Sequence, residues 1–229
     1  MFEAYKDMQT LNRKTLQYIS DILKPGQNIK SIKNICEDFL LGNGADSFWY
    51  WDVGAFIFAG EQTGISISGK EYIASDRIIQ ANDIITIDLS PQSKNVWGDL
   101  ARTIIIENGE VVKEIRNIRN SFWRKGLETQ EILHSKLVEA VTPDMTFESL
   151  YEMMNQYIQH CGFRNLDFMG NLGHSIATDK NQRVYIEQGN KSLLSSVHMF
   201  TFEPHISDGR YGYKKENIYY FHGDKLIEL

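Results

Sequence analysis

Two aspartates interrupt apolar, strand-like runs in the middle of the chain, and this feature constrains the fold more than any other. Asp88 falls near the end of "DIITIDLS", and Asp99 stands directly before "LARTIIIEN". A carboxylate inside a folded protein costs free energy unless a cation or hydrogen-bond donors compensate its charge. Two carboxylates on adjacent strands therefore predict that something cationic lies between those strands.

Hydrophobic periodicity predicts secondary structure in the order helices, strands, helices, strands. Helical patterns cover residues 3–23, 31–45, 110–139 and 142–163. Strand-like runs cover residues 48–60, 72–75, 82–90, 103–108, 196–206, 214–222 and 225–229. Thr146 and Ser149 have the spacing of a cap at the start of the last helix. This order favours an α+β fold, or two αβ halves laid side by side.

Composition and charge narrow the class of protein. A chain of 229 residues, 42% of them hydrophobic, can bury a sizeable core. The net charge of −6 and the lack of a Lys/Arg run predict no nucleic-acid partner. The polar N-terminus and the absence of a long apolar run predict a cytoplasmic protein without membrane contact. Cys36 and Cys161 are interpreted as free thiols.

Three more polar residues stand at unusual places in the second half. His174 lies in "GNLGHSIAT", Glu203 in "MFTFEPHI" and Glu216 in "ENIYYFH". Each of them, like each aspartate, has an ordinary explanation when taken alone, such as a turn, an ion pair or a solvated strand position. Together, four carboxylates and one imidazole favour a site for two divalent ions that activate a bridging water. A neutral histidine suits Mn, Co, Zn or Fe better than Mg or Ca.

Five motifs follow one another along the chain: "DIITIDLSP", "GDLART", "GHSIAT", "FTFEP" and "KKENIYY". In this order they resemble the pita-bread enzymes, namely methionine aminopeptidase, prolidase, Xaa-Pro aminopeptidase and creatinase, over about residues 5–229. The resemblance implies an α+β fold with two pseudo-symmetric αβ halves around a central curved antiparallel sheet. It also implies that residues 1–229 form a single pita-bread catalytic domain.

The same resemblance assigns roles to the polar residues. Asp88 would chelate one ion and Asp99 would bridge both, while His174 and Glu203 would bind the other ion and Glu216 would bridge again. Glu203 would also act in catalysis by shuttling a proton. The short spacing between Glu203 and Glu216 is closest to the prolidase and Xaa-Pro aminopeptidase branch, of which only the catalytic domain is matched.

The chain departs from these enzymes where they usually carry substrate-handling residues. A histidine expected before Asp88 is absent, and Ser68 is one of the nearest polar candidates. A second histidine expected after His174 is replaced in the region of Asn181, and Lys214 stands where the Xaa-Pro branch has arginine. Serine and asparagine cannot exchange a proton near neutral pH as imidazole does.

Other residues could take over the substrate-handling role of the absent histidines. His205 and His198 could supply an imidazole, although both are equally explained as ordinary strand histidines. Trp51, together with Trp49 and Tyr50, could line a substrate pocket, although aromatic clusters more often belong to the core.

Three functional hypotheses follow. The first is an aminopeptidase-type hydrolase that cleaves a peptide or amide bond near a free N-terminus with a metal-bridging hydroxide. The second is a creatinase-like C–N hydrolase or a lyase that acts on a small metabolite, because the usual histidines are absent. The third is a binding protein without catalysis, which the complete set of five predicted ligands disfavours. The expected partner is a small peptide or small-molecule amide, and a homodimer is left open.

Overall fold

A computed structural model describes residues 2–177 and 179–229, apart from the side chain of Lys180. The α-helices are α1 Phe2–Ile22, α2 Ile29–Gly42, α3 Ser121–Ala140 and α4 Phe147–His160. The strands are β1 Ser47–Phe48, β2 Ala55–Ala59, β3 Asp83–Leu89, β4 Pro91–Ser93, β5 Val96–Trp97, β6 Leu100–Glu107, β7 Glu110–Val111, β8 Arg164–Asn165, β9 Phe200–Phe202, β10 His205–Ser207, β11 Gly212–Lys214, β12 Asn217–His222 and β13 Lys225–Glu228. The predicted order of helices, strands, helices and strands is confirmed.

The strands pair antiparallel in four small sheets within the described residues. Their orders are β2-β3-β6-β7, β1-β4-β5, β11-β10-β8 and β13-β12-β9. In the largest sheet, β3 lies between β2 and β6, so that Asp88 stands opposite Phe56 on one side and Ala101 on the other. The strands that carry or follow the two aspartates are therefore neighbours, as predicted.

Two apolar cores divide the molecule into halves. The first core packs α1 and α2 against β2, β3 and β6, with Ile19 and Ile87 among its fully buried members. The second packs α3 and α4 against β9–β12, with Leu133 and Phe202 fully buried. A third cluster, which includes Trp97, joins residues of both halves. This apolar burial is the main favourable contribution to folding.

Hydrogen bonds across the midline connect β6 of the first half to β11 and β12 of the second. The amide N–H of Glu216 donates to the carbonyl of Ala101 at 3.0 Å. The Arg102 guanidinium donates to the carbonyl of Glu216 at 2.6 Å. The Thr103 hydroxyl pairs with the backbone of Lys214, at 2.8 Å from its nitrogen and 3.1 Å from its oxygen. These bonds hold Lys214 and Glu216 of the second half against the first residues of β6.

The helix predicted over residues 110–139 is wrong in its first third. α3 begins at Ser121, where the Asn120 side chain accepts from the N–H groups of the first turn. Of the preceding residues, Glu110 and Val111 belong to a hairpin, because Asn108 and Gly109 both have positive φ, 55° and 88°, and turn the chain back into β7. Asn-Gly is the preferred pair for such a two-residue turn. Ile115–Asn117 form a short 3₁₀ helix. The Val and Ile residues that follow the turn recur at helical spacing, which is why the sequence pattern predicted a helix there.

Other predicted strands are shorter than their apolar runs. Residues 72–75 form no strand, and within 48–60 only β2 and the end of β1 are extended. Trp51 and Asp52 both have φ near +57° and form a turn there. The predicted cap holds, since the Thr146 hydroxyl accepts from the N–H of Ser149. Within the described residues, the helices are too short or too polar to span a bilayer.

Candidate metal centre and substrate cavity

Three of the predicted carboxylates meet where β3, β6 and β12 converge. Asp88 lies near the end of β3, Asp99 directly precedes β6 and Glu216 directly precedes β12. The bond from the Glu216 N–H to Ala101 holds Glu216 beside Asp99. One carboxylate oxygen from each of the three lies within 4.8 Å of the others. Strand register thus brings together charges that are far apart in the sequence.

Glu203 and His174 complete the group from the opposite side. Glu203 lies between β9 and β10, where its N–H donates to the carbonyl of Leu172 at 2.9 Å. The Nε2 atom of His174 lies 3.5 Å from Oδ2 of Asp99 and 3.6 Å from Oε1 of Glu203. The five predicted ligands therefore form one cluster, which we call the carboxylate cage: Asp88, Asp99, His174, Glu203 and Glu216.

Gly173 allows the histidine loop to reach β9. Its φ is +138°, and a Cβ there would lie 2.3 Å from the carbonyl oxygen of Thr201. The close approach lets the N–H of Thr201 donate to the carbonyl of His174, and the N–H of His174 donate to the Thr201 hydroxyl. A side chain at residue 173 would push His174 away from the cage.

The protonation of His174 follows from its contacts. Its Nδ1 lies 3.2 Å from the carbonyl oxygen of Ser175, which can only accept, so Nδ1 carries the proton. Burial lowers the pKa of His174 to about 4, and the ring is neutral near pH 7. Nε2 therefore presents a lone pair toward the oxygens of Asp99 and Glu203. The lone pair of Nε2 and the lone pairs of these carboxylate oxygens repel each other unless a cation lies between them.

One cation of the chain itself reaches into the cage. The Nζ atom of Lys214 lies 2.6 Å from Oδ2 of Asp88, 3.0 Å from Oε2 of Glu203 and 3.9 Å from Oε2 of Glu216. Burial acts to lower the pKa of Lys214, but these carboxylates together raise it well above its usual value. The residue that replaces the expected arginine is thus a charged ammonium inside the cage.

The four carboxylates differ in how well their charge is compensated. Burial raises the pKa of Asp99 and of Glu216 well above the usual range, and neighbouring carboxylates raise both further. Burial also raises the pKa of Asp88 despite the contact with Lys214. Glu203 differs: burial acts to raise its pKa, but Lys214 together with the neighbouring basic side chains His174 and Arg183 outweighs burial and lowers it.

Glu216 gives the clearest test of whether these residues fit a metal ion. Its side chain is fully buried, and neither of its carboxylate oxygens has a hydrogen-bond partner among the described residues. Native structures rarely leave buried polar atoms without partners, and a site for an ion is one explanation of such atoms. Together with the lone pair of His174, the donor set is mixed oxygen and nitrogen, which suits a divalent transition metal.

A cavity of about 140 Å³ opens over the cage. On one side, Arg183 stacks over three aromatic rings, with its guanidinium carbon 5.0 Å from the Trp49 ring, 5.8 Å from Tyr50 and 5.5 Å from Tyr185. Such stacking holds a guanidinium in place by cation–π attraction. The cavity therefore has a positively charged aromatic side next to the anionic cage.

Asp167 lines another side of this cavity. Its Oδ1 accepts hydrogen bonds from the N–H groups of Met169 and Asn171. Burial raises the pKa of Asp167 to about 6, and the charge of Glu203 acts in the same direction. Phe168 and Met169, which are half exposed, add an apolar rim. Neither Asp167 nor Arg183 carries a periodic or motif signal in the sequence, because both lie in irregular loops.

The predicted substrate residues divide into two groups. His205 and Lys214 line the cavity. Trp51, Ser68 and Asn181 are not among the described residues that line it. Trp51 is 56% exposed under the Lys70 ammonium, the Ser68 Oγ accepts from the N–H of Lys70 at 3.3 Å, and Asn181 is exposed in a short 3₁₀ helix. Their roles stay predictions, whereas Trp49 and Tyr50 do line the cavity.

The remaining histidines are placed by burial. Nε2 of His205 donates to the carbonyl of Thr63 at 2.8 Å, and burial lowers the pKa of His205 to about 4. His198 is exposed. His134 is buried, although the polar pattern of its helix predicts a surface position. Its Nδ1 accepts from the Tyr219 hydroxyl at 2.7 Å, so that it joins α3 to β12.

Comparison with known proteins identifies the family. The sequence model of metallopeptidase family M24 matches residues 3–222. The chain belongs to this family. Among curated proteins, it is 29% identical to the Xaa-Pro dipeptidase of Pyrococcus furiosus over 135 residues, which cover 58% of this chain and 35% of that protein. It is 24% identical to methionine aminopeptidase 1b of Plasmodium falciparum over 208 residues, covering 88% and 38% respectively.

Solved structures agree on the fold. The prolidase from Pyrococcus furiosus superposes with a TM-score of 0.82 at 20% identity, covering 99% of this chain and 62% of that one. A methionine aminopeptidase from Thermotoga maritima gives 0.76 at 12% identity, covering 99% and 94%. The predicted family and the α+β pita-bread fold are confirmed. Membership of this family indicates an enzyme that uses divalent metal ions. This chain spans less than two thirds of the length of these curated relatives.

Proposed function

We propose that this family member is a dinuclear metal-dependent hydrolase that cleaves a peptide or amide bond near a free N-terminus. The observation that carries the proposal is the meeting of Asp88, Asp99 and Glu216 within 4.8 Å, with both oxygens of Glu216 lacking hydrogen-bond partners among the described residues. A buried group of like charges is costly unless cations compensate it. The ions would be Mn, Co, Zn or Fe, since an imidazole stands among the ligands.

The five residues of the carboxylate cage would hold the two ions. Asp88 would bind one, His174 and Glu203 the other, and Asp99 and Glu216 would bridge them. When bound, such ions polarise the scissile carbonyl and supply a water of lowered pKa as nucleophile. The neutral tautomer of His174, fixed by Ser175, keeps Nε2 available as a ligand.

Glu203 is the candidate general base. Its carboxylate borders the cavity, and Lys214, His174 and Arg183 together keep its pKa below the usual value despite its burial. The side chain is therefore ionised near neutral pH and can accept a proton from water at the cavity floor. The same group, once protonated, can donate to the leaving amine nitrogen.

The cavity walls support a small zwitterionic substrate. Arg183 can bind a carboxylate, and Asp167 can bind an ammonium, on the same small cavity above the cage. The aromatic rings of Trp49, Tyr50 and Tyr185 provide apolar contact between these charges. A dipeptide or a similar small amide has this charge pattern. The names of the relatives, a dipeptidase and aminopeptidases, point in the same direction.

One observation favours the second hypothesis, hydrolysis or elimination on a small non-peptide metabolite. Of the described residues that line the cavity, the histidines are His174 and His205, and Nε2 of His205 is engaged with Thr63. The proton transfers usually assisted by extra histidines would then depend on Glu203. A peptide screen and a small-amide screen separate the two hypotheses.

The test combines metal content with turnover. The protein is purified without chelator, loaded with Mn, Co, Zn or Fe in turn, and analysed by elemental mass spectrometry. We expect about two equivalents per chain, as a dinuclear site requires, and turnover of dipeptides. Asp99→Asn should lose both, whereas Asp52→Asn, an exposed carboxylate in the turn before β2, should lose neither. If the protein binds no metal under any of these loading conditions, the proposal is contradicted.

A further inference from the structure

The side chain of Lys214 lies among three of the five predicted ligands. Its Nζ contacts Asp88 at 2.6 Å and Glu203 at 3.0 Å and lies 3.9 Å from Glu216. The dinuclear assignment gives these carboxylates to both ions, since Asp88 would belong to one, Glu203 to the other and Glu216 to the two together. The ammonium therefore lies among oxygens that two separate ions would need.

A divalent ion and this ammonium compete for the same oxygens. Ions bind carboxylate oxygens at about 2.0–2.6 Å. Oδ2 of Asp88 and Oε2 of Glu203 already contact Nζ of Lys214 at hydrogen-bond distances. An ion on either oxygen would lie beside the ammonium, where burial weakens the screening of like charges. For each of these two carboxylates, binding of an ion therefore weakens the contact with Lys214, and the contact with Lys214 weakens binding of an ion.

Charge balance leads to the same result. Four carboxylates carry at most four negative charges, and two divalent ions already neutralise them. With Lys214 in place, the first ion enters a cage of net charge −3 and the second a cage of net charge −1, compared with −4 and −2 without Lys214. Lys214 therefore halves the negative charge that attracts the second ion but removes only a quarter of the charge that attracts the first.

The backbone of Lys214 cannot move away to relieve this conflict. Its N–H and carbonyl both pair with the Thr103 hydroxyl in β6. The side chain is different, because four methylenes can swing the ammonium out of the cage, and it lines the open cavity. Displacement of Lys214 is thus a movement of the side chain, with β11 left in place.

We propose that Lys214 is an internal cation of the carboxylate cage that takes the place of one of the two divalent ions. The chain then binds one ion tightly, and binds the second only at higher metal concentration, when the Lys214 side chain leaves Asp88 and Glu203. This inference rests on the proposed function, because it presumes that the cage holds metal. It makes the dinuclear state dependent on the supply of metal.

The test measures metal binding and stability separately from turnover. Metal-free protein is titrated with Mn²⁺ in a calorimeter, and thermal unfolding is recorded with and without Mn²⁺. The variants are Lys214→Met, Lys214→Arg and, as a matched control, Lys215→Met, which removes the neighbouring charge that pairs with Glu131 at the surface. The wild type should bind a second ion at least about tenfold more weakly than the first.

The variants should change binding and stability in opposite directions. Lys214→Met should bind the second ion at least about tenfold more tightly than the wild type does, yet its metal-free form should unfold at a lower temperature, because Asp88 and Glu203 lose their counter-charge. Lys214→Arg and Lys215→Met should bind the second ion as the wild type does. Saturating Mn²⁺ should remove or reverse the loss of stability in Lys214→Met.

Each contrary outcome has its own meaning. Equal affinity for two ions in the wild type would overturn the inference while leaving the dinuclear proposal intact. Identical isotherms for Lys214→Met and the wild type would overturn it in the same way. Binding of no Mn²⁺ by any variant would overturn the proposed metal site and this inference with it. If Lys214→Met does not fold, Lys214→Gln replaces it, and its isotherm is compared with that of the wild type in the same way.

Discussion

The floor of the cavity and its mouth are built from different kinds of backbone. The floor is the carboxylate cage, whose aspartates and Glu216 are positioned by the pairing of β3 with β6 and by the contact of β6 with β12. The mouth consists of residues 65–67, 167–171 and 183–185, which form loops. Strand pairing fixes the floor by repeated hydrogen bonds, whereas the mouth depends on a few local contacts.

This difference separates two tasks. A rigid frame suits groups that must hold ions at fixed distances, and loops on such a frame suit the recognition of a substrate. We therefore expect substitutions in the floor to act on metal binding and kcat. Substitutions in the mouth should act on KM, with metal binding unchanged. Variants in each region can show whether the two behave as separately as their construction suggests.

The largest effect is expected from Glu216→Gln in the floor. Gln has nearly the same shape but no negative charge, so the proposed bridging ligand would be lost. Activity should fall on the order of 1000-fold, because residues that act as a unit lose most of their effect together. Metal content should fall with it in elemental mass spectrometry.

The same variant should leave the metal-free protein as stable as the wild type or more stable. Glu216 is fully buried without hydrogen bonds to its oxygens, so a neutral amide removes a charge that the described residues compensate poorly. Chemical denaturation in the presence of a chelator measures this. A strongly destabilised Glu216→Gln would mean that Glu216 serves the frame rather than the ions.

A smaller effect, confined to KM, is expected from Arg183→Met in the mouth. If the guanidinium binds the carboxylate of a dipeptide, its loss should raise KM on the order of 10–100-fold, the size of a charged hydrogen bond. The kcat and the metal content should stay near the wild-type values. The wild type should prefer a dipeptide over its C-terminal amide, and Arg183→Met should lose that preference.

Lys70→Met is the matched control for Arg183→Met. Lys70 also stacks over a tryptophan, Trp51, but it lies outside the cavity. Its loss should leave KM unchanged. If both variants raise KM equally, the effect of Arg183 comes from the net charge around the mouth and not from a specific contact.

The floor could be predicted from the sequence because its residues break a pattern. Asp88 and Asp99 interrupt apolar runs, and the motifs around His174, Glu203 and Glu216 resemble a family whose fold is now confirmed. The contact of Lys214 with Asp88 could not be foreseen, because it joins β11 to β3 across a separation of 126 residues. Glu216 is equally distant from Asp88, but its motif resembles that of the family, whereas Lys214 departs from the motif and so has no partner implied by the resemblance.

The mouth and several element boundaries could not be predicted, for a different reason. Asp167 and Arg183 lie in loops without periodicity, so no pattern distinguishes them from solvent-exposed charges. The Asn108–Gly109 turn did carry a local signal, but the Val and Ile residues that follow it also fit helical spacing. Local patterns are ambiguous where a short hairpin strand precedes a helix.

His134 allows a test of how the stability of the structure beneath the carboxylate cage depends on pH. Burial lowers the pKa of His134 well below 6.5, so the folded chain keeps it neutral while the unfolded chain takes up a proton below pH 6.5. Its contribution to stability is present above that pH and decreases as the pH falls. Between pH 7 and pH 5, metal-free wild type should therefore lose more stability than His134→Gln. His160→Gln, an exposed histidine of α4, should follow the wild type.

The smallest effect is expected from Trp51→Ala, at the edge of the mouth. Trp51 is 56% exposed and contacts Lys70, whereas Trp49 is 3% exposed and its indole N–H donates to the carbonyl of Gly98, next to Asp99. Loss of an exposed cation–π contact costs about 0.5–1 kcal/mol, and KM should change less than about twofold. Trp49→Phe, which removes the bond to Gly98, should affect kcat and metal affinity more than Trp51→Ala does. A large rise in KM for Trp51→Ala alone would show that the mouth extends beyond the cavity and closes over Trp51 when substrate binds.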